Sequence, residues 1–238
     1  MCGGLPMSLE VLPITGIGEV RPGDDLAELI AASDANILDG DCLVITQKVV
    51  SKAEGRLVDI DPDDPLSHKP LVERESVRIL RRRGELIISE TEHGFVCANA
   101  GIDLSNVERG QAALLPVDSD RSARGVRERL KARHGVDVAI VISDTFGRPW
   151  RRGVTDIAIG CAGIKAIADL RGTTDALGRE LMVTEVAIVD EIAAAADLVM
   201  GKSKGVAVAI VRGLEPEWFG RGGVVDEIIR DPSEDLFR

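Results

Sequence analysis

The sequence predicts an α+β fold, with mixed sheets and packed helices in irregular alternation rather than a regular doubly wound sheet. Three observations carry that expectation. Two apolar runs, residues 42–46 and 136–143, have the length and composition of buried strands. Helical segments with capping residues fall between such runs at unequal intervals. No internal repeat, low-complexity stretch or linker divides the 238 residues, so residues 1–238 are expected to form one domain. Residues 1–7 read as an extension, with Met7 as a second start. The Gly- and charge-rich residues 214–238 read as a tail that docks on a partner subunit or stays loose.

Taken in order, residues 9–14 form a short strand. Pro22-Gly23 makes a turn, and Asp24 caps a helix reaching about residue 35, with Leu26, Leu29 and Ile30 on one face. Asp39-Gly40-Asp41 turns the chain into the strand 42–46. Residues 59–70, rich in Asp and Pro, are a loop. A helix over 71–83 would end in Arg81-Arg82-Arg83, where cations complement the helix dipole. Residues 86–89 and 95–99 read as strands. A second capped helix covers 119–134, followed by the strand 136–143. An alanine-rich helix over 190–200 precedes a last strand, 206–211.

Composition limits the function classes. Asp and Glu number 40 against 29 Lys and Arg, a formal net charge of −11. Such a chain has no general electrostatic pull on nucleic acid or anionic lipid, though local cations can still hold a small anionic ligand. Aromatics are 3% with no Tyr, which argues against base-stacking platforms. Cys2, Cys42, Cys97 and Cys161 are far apart and lack metal spacing, so free thiols in a reducing compartment are expected. No apolar run approaches the ~18 residues of a membrane span, and the first residues lack the regions of a signal peptide. A soluble, cytoplasmic protein is expected.

Several segments carry chemistry. Asp144-Thr145 closes the strongest strand and places a carboxylate beside a hydroxyl, hard oxygen ligands suited to Mg²⁺ or Mn²⁺. Arg148, Arg151 and Arg152 follow and can face phosphate or carboxylate. The bland alternative is an Asp capping a turn, with solvated arginines. Asp103 and Asn106 share a small-residue loop and can coordinate an ion or bond their own backbone. Lys48 and Lys52, four apart after the strand 42–46, would share a helical face and could neutralise polyphosphate. Thr15-Gly16-Ile17-Gly18-Glu19-Val20 offers backbone N–H groups at a loosened turn. Gly201-Lys202-Ser203 is not a Walker A loop, because position 196 is Ala196 and the strand–loop–helix order is reversed. Glu185, Asp190 and Glu191 receive no role. Nucleophilic hydrolysis is poorly supported by three scattered His and no G-x-S-x-G.

In order along the chain, Leu12-Pro13-Ile14-Thr15-Gly16-Ile17-Gly18-Glu19, Asp39-Gly40-Asp41, Gln47-Lys48-Val49-Val50-Ser51-Lys52-Ala53-Glu54-Gly55 and Ala100-Gly101-Ile102-Asp103-Leu104-Ser105-Asn106 are followed by Asp144-Thr145-Phe146-Gly147-Arg148-Pro149-Trp150-Arg151. With the segments 190–201 and 234–238, this pattern resembles the coenzyme F-420-0:L-glutamate ligase family over nearly the whole chain. The resemblance implies an intertwined homodimer with its site in a groove between subunits. It implies an amide ligase that uses GTP, a divalent metal (Mg²⁺ or Mn²⁺) and K⁺ to attach L-glutamate to coenzyme F-420-0, then further glutamates through γ-linkages. Asp103 and Asp144 would hold one metal, and Thr145 would help hold a second. Ile17, Gly18, Glu19, Val20, Gln47, Lys52 and Asn106 would line the GTP site, with Met200, Gly201, Lys202 and Ser203 touching the nucleotide. Asp144 and Arg148 are the expected catalytic residues.

Two features depart from the family pattern. Lys202 stands where many relatives carry an amide or acid as second-metal ligand, and a protonated lysine cannot ligate. The chain also ends before the flavin domain that some bacterial relatives carry, so a stand-alone ligase or an N-terminal ligase domain is expected. A metal-dependent phosphohydrolase would use the same carboxylates with water as nucleophile. A non-catalytic nucleotide- or deazaflavin-binding subunit is the third reading.

Overall fold

A computed structural model describes residues 8–236. The extension expected over 1–7, Cys2 with it, and the last two residues lie outside the described residues. The chain opens with β1 (Glu10–Ile14), α1 (Leu26–Ala31), β2 (Cys42–Thr46), α2 (Gln47–Ala53) and β3 (Leu57–Asp59). Then come α3 (Lys69–Arg74), β4 (Ser76–Arg83), β5 (Leu86–Thr91), β6 (Val96–Ala98) and β7 (Gln111–Ala113). The second half holds α4 (Ser119–Arg129), β8 (Ala139–Gly147), β9 (Val154–Ala162), β10 (Ala168–Asp169) and β11 (Glu185–Val186), and ends with α5 (Ile188–Met200), β12 (Val208–Arg212) and α6 (Val224–Glu227). Helices and mixed sheets make this an α+β fold, as expected. No described helix is long and apolar enough to cross a membrane.

The core is a five-stranded sheet in the order β1-β12-β2-β8-β9. β2 and β8 run parallel, with Cys42 opposite Ala139 and Thr46 opposite Ser143, while the other pairings are antiparallel. Both central strands are buried on both faces, which is why they read as unbroken apolar runs. Helices α4 and α5 pack against this sheet. Asp118 starts α4 by accepting the Arg121 N–H at 2.8 Å. Beside the core lie the sheet β4-β5-β6 and the pairs β3-β7 and β10-β11.

Three expectations change. The first helix is capped by Asp25, not Asp24, and is shorter, because Ala27 N–H bonds Asp25 while Asp24 turns back to Arg21. The helix expected over 71–83 is α3 followed by the strand β4, so Arg81, Arg82 and Arg83 lie on a strand and not at a helix end. Pairing with β5 decides this: Ser76 bonds Ser89 at 2.8 Å and Arg78 pairs with Glu90 at 2.9 Å. Local propensity of Leu and Arg is overridden by those cross-strand contacts. Finally, the strand expected to stop at Ser143 continues to Gly147, hairpinned to β9.

Gly160 on β9 explains how closely α4 sits on the sheet. A Cβ at this position would lie 2.4 Å from the Ser119 carbonyl carbon. We expect Gly160→Ala to cost about 3 kcal/mol, read as a lower urea midpoint; an unchanged midpoint would contradict this close contact. Cys42, Cys97 and Cys161 are buried free thiols. Desolvation raises all three, Cys97 to about 12 with help from the neighbouring Asp144 charge. A disulfide reagent should therefore leave them untouched in the native protein and label them once denaturant is added. Native labelling of any of the three would contradict their burial.

Candidate functional site

The site is built at the carboxyl ends of the parallel pair β2 and β8, where sheets present ligands to solvent. β2 runs directly into α2, while β8 continues as one arm of the hairpin. Between Ile142 and Ser143 the register with β9 shifts: Ile142 faces Gly160, but Ser143 faces Ala158. Ile159 is thus the extra residue of a bulge, a feature that re-aims the side chains beyond it. Asp190 on α5 accepts the Ala158 N–H at 2.9 Å next to this bulge, and burial raises its pKa. A helix acid assigned no role from sequence therefore supports the kinked strand.

Just past the bulge lie Asp144 and Thr145. Asp144 is pushed up to about 7, chiefly by desolvation, with the charges of Asp103 and Asp156 adding to it. Three carboxylates from β8, β9 and the loop before β7 therefore converge. Asp103 is tied by Lys48 Nζ at 2.7 Å and by the Ser105 N–H at 2.7 Å. Burial alone would raise its pKa, but these partners outweigh it and hold Asp103 below the usual carboxylate range. Asp156, 4% exposed, accepts the Thr145 hydroxyl at 2.7 Å and the Ser143 hydroxyl at 3.0 Å.

Lys202 closes the far side. Its Nζ lies 2.6 Å from Thr145 Oγ1, 2.7 Å from Asp156 Oδ1 and 2.9 Å from Asp197 Oδ1. Asp103 and Asp156 are each paired with an ammonium. Among the described residues no Lys or Arg pairs with Asp144. No three acidic, His or Cys side chains form a metal cage by themselves among the described residues. The donor set nevertheless fits Mg²⁺ or Mn²⁺, which commonly take one or two carboxylates and complete their shell with water and phosphate.

The other expected residues fall around this centre. Lys48 and Lys52 both lie on α2, and Lys52 pairs with Glu19 of the 17–20 turn. Val20 and Met200 are buried and act as packing under their loops. Gln47 is also buried, its amide donating to Ser51 Oγ at 2.7 Å and the Leu114 carbonyl at 3.0 Å, so it ties α2 to the segment after β7. Asn106 occupies a left-handed backbone turn at φ 52°. Gly201, at φ 58°, turns the chain off α5 and carries Lys202 toward β8 and β9, with Ser203 exposed beside it. Ile17 is part-buried against the core, and Gly18 is open to solvent. Arg148 sits at the hairpin tip, donating to the Arg152 carbonyl at 2.6 Å. It is three residues beyond Thr145 and is not in the carboxylate cluster.

Asp156 and Asp197 were not found from the sequence. The available signal was an acid inside the strand-like run Val154-Thr155-Asp156-Ile157-Ala158, because a buried acid demands partners. Asp197 lies on the Ala-rich helix and gave no signal of its own.

Residues 16–213 match the model of the family described as F420-0:Gamma-glutamyl ligase. The chain is 47% identical to the coenzyme F420:L-glutamate ligase of Methanopyrus kandleri, an alignment covering 99% of this chain and all of the relative. Proteins of the same name from Methanothermobacter thermautotrophicus and Archaeoglobus fulgidus are each 41% identical to it. Those alignments cover 98% of this chain and 100% and 97% of the relatives respectively.

Proposed function

The chain belongs to the F420-0:gamma-glutamyl ligase family, and from that premise we propose that it joins L-glutamate to coenzyme F-420-0 at the expense of GTP, with γ-linked glutamates added afterwards. The observation that carries this reading is the convergence of Asp103, Asp144 and Asp156 with two lysines at the edge of the parallel strands. Polyphosphate chemistry requires both signs of charge in one place: carboxylates for a divalent ion and ammonium groups for phosphate oxygens.

A carboxylate is a poor acyl donor, since oxide would have to leave. In the proposed reaction a carboxylate oxygen of F-420-0 bonds to the γ-phosphorus as the bond to the bridging oxygen of GDP breaks. The amine of glutamate then forms the amide bond, phosphate leaves, and the amine proton passes to solvent. Asp103 and Asp144 would hold Mg²⁺ or Mn²⁺, which when bound neutralises polyphosphate oxygens. Lys48 fixes Asp103 in place, and the Lys52–Glu19 pair joins α2 to the 17–20 turn, which together would line the nucleotide. Arg148, Arg151 and Arg152 at the hairpin tip offer guanidinium groups to an anionic acceptor.

The reading includes one domain over the whole chain, a cytoplasmic setting and a homodimer. In support of the dimer, the sheet β4-β5-β6 exposes Val77, Leu80, Leu86 and Val96 among its arginines, apolar side chains that a second copy could cover. The test is to mix protein, F-420-0, GTP, Mn²⁺, K⁺ and L-glutamate and follow deazaflavin mass and GDP together. A glutamate-sized mass gain is expected, with GDP formed beyond one equivalent per enzyme only when acceptor and glutamate are both present. GDP release without a mass gain would replace this reading with a hydrolase, and no GDP at all with a binding subunit.

A further inference from the structure

Lys202 has a place in this site that differs from the role its position suggests. Its three ammonium hydrogens meet three acceptors from three different elements: Thr145 Oγ1 on β8 at 2.6 Å, Asp156 Oδ1 on β9 at 2.7 Å and Asp197 Oδ1 on α5 at 2.9 Å. The Thr145 hydroxyl hydrogen is itself given to Asp156. Asp156 is buried and would otherwise be a desolvated charge held only by the hydroxyls of Ser143 and Thr145. Acids from strand and helix thus converge on one cation, and that cation is covalently part of the chain. The turn at Gly201 delivers it there.

We propose that the Lys202 ammonium is the resident cation on the Thr145 side, so that the chain takes one divalent ion per bound nucleotide, at Asp103 and Asp144, rather than two. The proposal rests on the metal- and nucleotide-dependent reading given above. A divalent ion bound to Thr145 Oγ1 would lie only about 2.1 Å from that oxygen. It would then meet the ammonium already bonded there, with like charges in near contact. Lys48 at the Asp103 site holds one acid and one hydroxyl, whereas Lys202 holds two acids and a hydroxyl. It is therefore the Lys202 ammonium that resists displacement by a divalent ion. Because about half of the lysine side chain is exposed, the same ammonium remains within reach of a phosphate oxygen while anchored to the two acids.

The test uses the full chain with Mn²⁺ and a non-hydrolysable GTP analogue, read by calorimetry and by electron paramagnetic resonance. The wild type is expected to bind one Mn²⁺ per nucleotide and to show the six-line signal of an isolated ion. Lys202→Gln, which removes the ammonium and supplies an oxygen donor, should bind two and show a broadened, coupled Mn²⁺ pair. Lys202→Met, which removes the charge and supplies no donor, should bind the second ion at least tenfold more weakly than Lys202→Gln. Two coupled ions in the wild type would overturn the inference while leaving the ligase reading intact. A Lys202→Gln protein of native circular dichroism that still binds one ion would do the same. No nucleotide-dependent Mn²⁺ binding by the wild type would overturn the metal reading, and the inference with it.

Discussion

Replacing Asp144 by alanine is expected to lower GTP-dependent glutamate addition roughly 10³-fold, with the fold retained. The side chain stands just beyond the bulge in β8, facing Asp103 and Asp156, and no lysine or arginine among the described residues pairs with it. Burial and the neighbouring carboxylates disfavour its charge, and only the Thr145 backbone hydrogen bond and the nearby Lys48 charge oppose them. Asp144→Asn separates the two consequences. With chelator present, the amide should raise the melting temperature by about 2–5 °C, because desolvation and carboxylate repulsion no longer act on an ionised group. Turnover should fall nearly as far as in the alanine variant. Loss of both stability and activity in Asp144→Asn would show that the carboxylate is a structural hydrogen-bonding group instead. Full activity in Asp144→Ala would remove it from the reaction.

The largest stability effect is expected at Asp120, at the start of α4. Its carboxylate is buried and accepts three backbone N–H groups: Cys161 at 2.7 Å, Val224 at 3.0 Å and Val225 at 3.2 Å. One side chain therefore ties α4 to β9 and both to α6. Glu227 completes the arrangement by accepting the Ala166 and Ile167 N–H groups at 3.0 and 3.2 Å. Residues 214–229 accordingly fold back on their own chain, with Leu214 and Val224 in the core and Ile228 and Ile229 packed against it, while 230–236 are mostly exposed. Asp120→Ala would leave two buried donors and one part-buried donor without their acceptor and should cost about 3–5 kcal/mol, lowering the melting temperature by about 10 °C. Asp120→Asn keeps one acceptor oxygen and should lose less. Equal, near-zero losses in urea unfolding of both variants would contradict this role.

The parts of the fold legible in the sequence were those whose environment is uniform. β2 and β8 are buried on both faces, so hydrophobicity alone marks them; α4 and α5 have lengths and periodicities that no strand would share. β4 was illegible because Ser76–Arg83 is mostly exposed, so neither period is enforced by burial and only pairing with β5 fixes it. β9 was hidden by Asp156 and Gly160, which interrupt its apolar pattern for reasons supplied by Thr145, Lys202 and Ser119 elsewhere in the chain.

The candidate site divides in the same way. Asp103, Asp144 and Thr145 stood out by local pattern and by resemblance, and the structure brings Asp103 and Asp144 within electrostatic reach of each other. The acids that surround Lys202 did not stand out. Asp156 is separated from Lys202 by 46 residues, and their pairing is a product of tertiary structure that no spacing rule contains. Gln47 shows the converse: its position in the motif suggested nucleotide contact, while its amide is buried and holds the Leu114 carbonyl.

The most direct test of carboxylate activation is to supply F-420-0 labelled with ¹⁸O in its acceptor carboxylate, together with GTP, Mn²⁺ and L-glutamate, in unlabelled water. One ¹⁸O is expected in the released phosphate and one in the new amide, because the oxygen that attacks the γ-phosphorus departs with it. Unlabelled phosphate, with its new oxygen drawn from water, would contradict transfer to the carboxylate and leave these carboxylates and lysines serving hydrolysis.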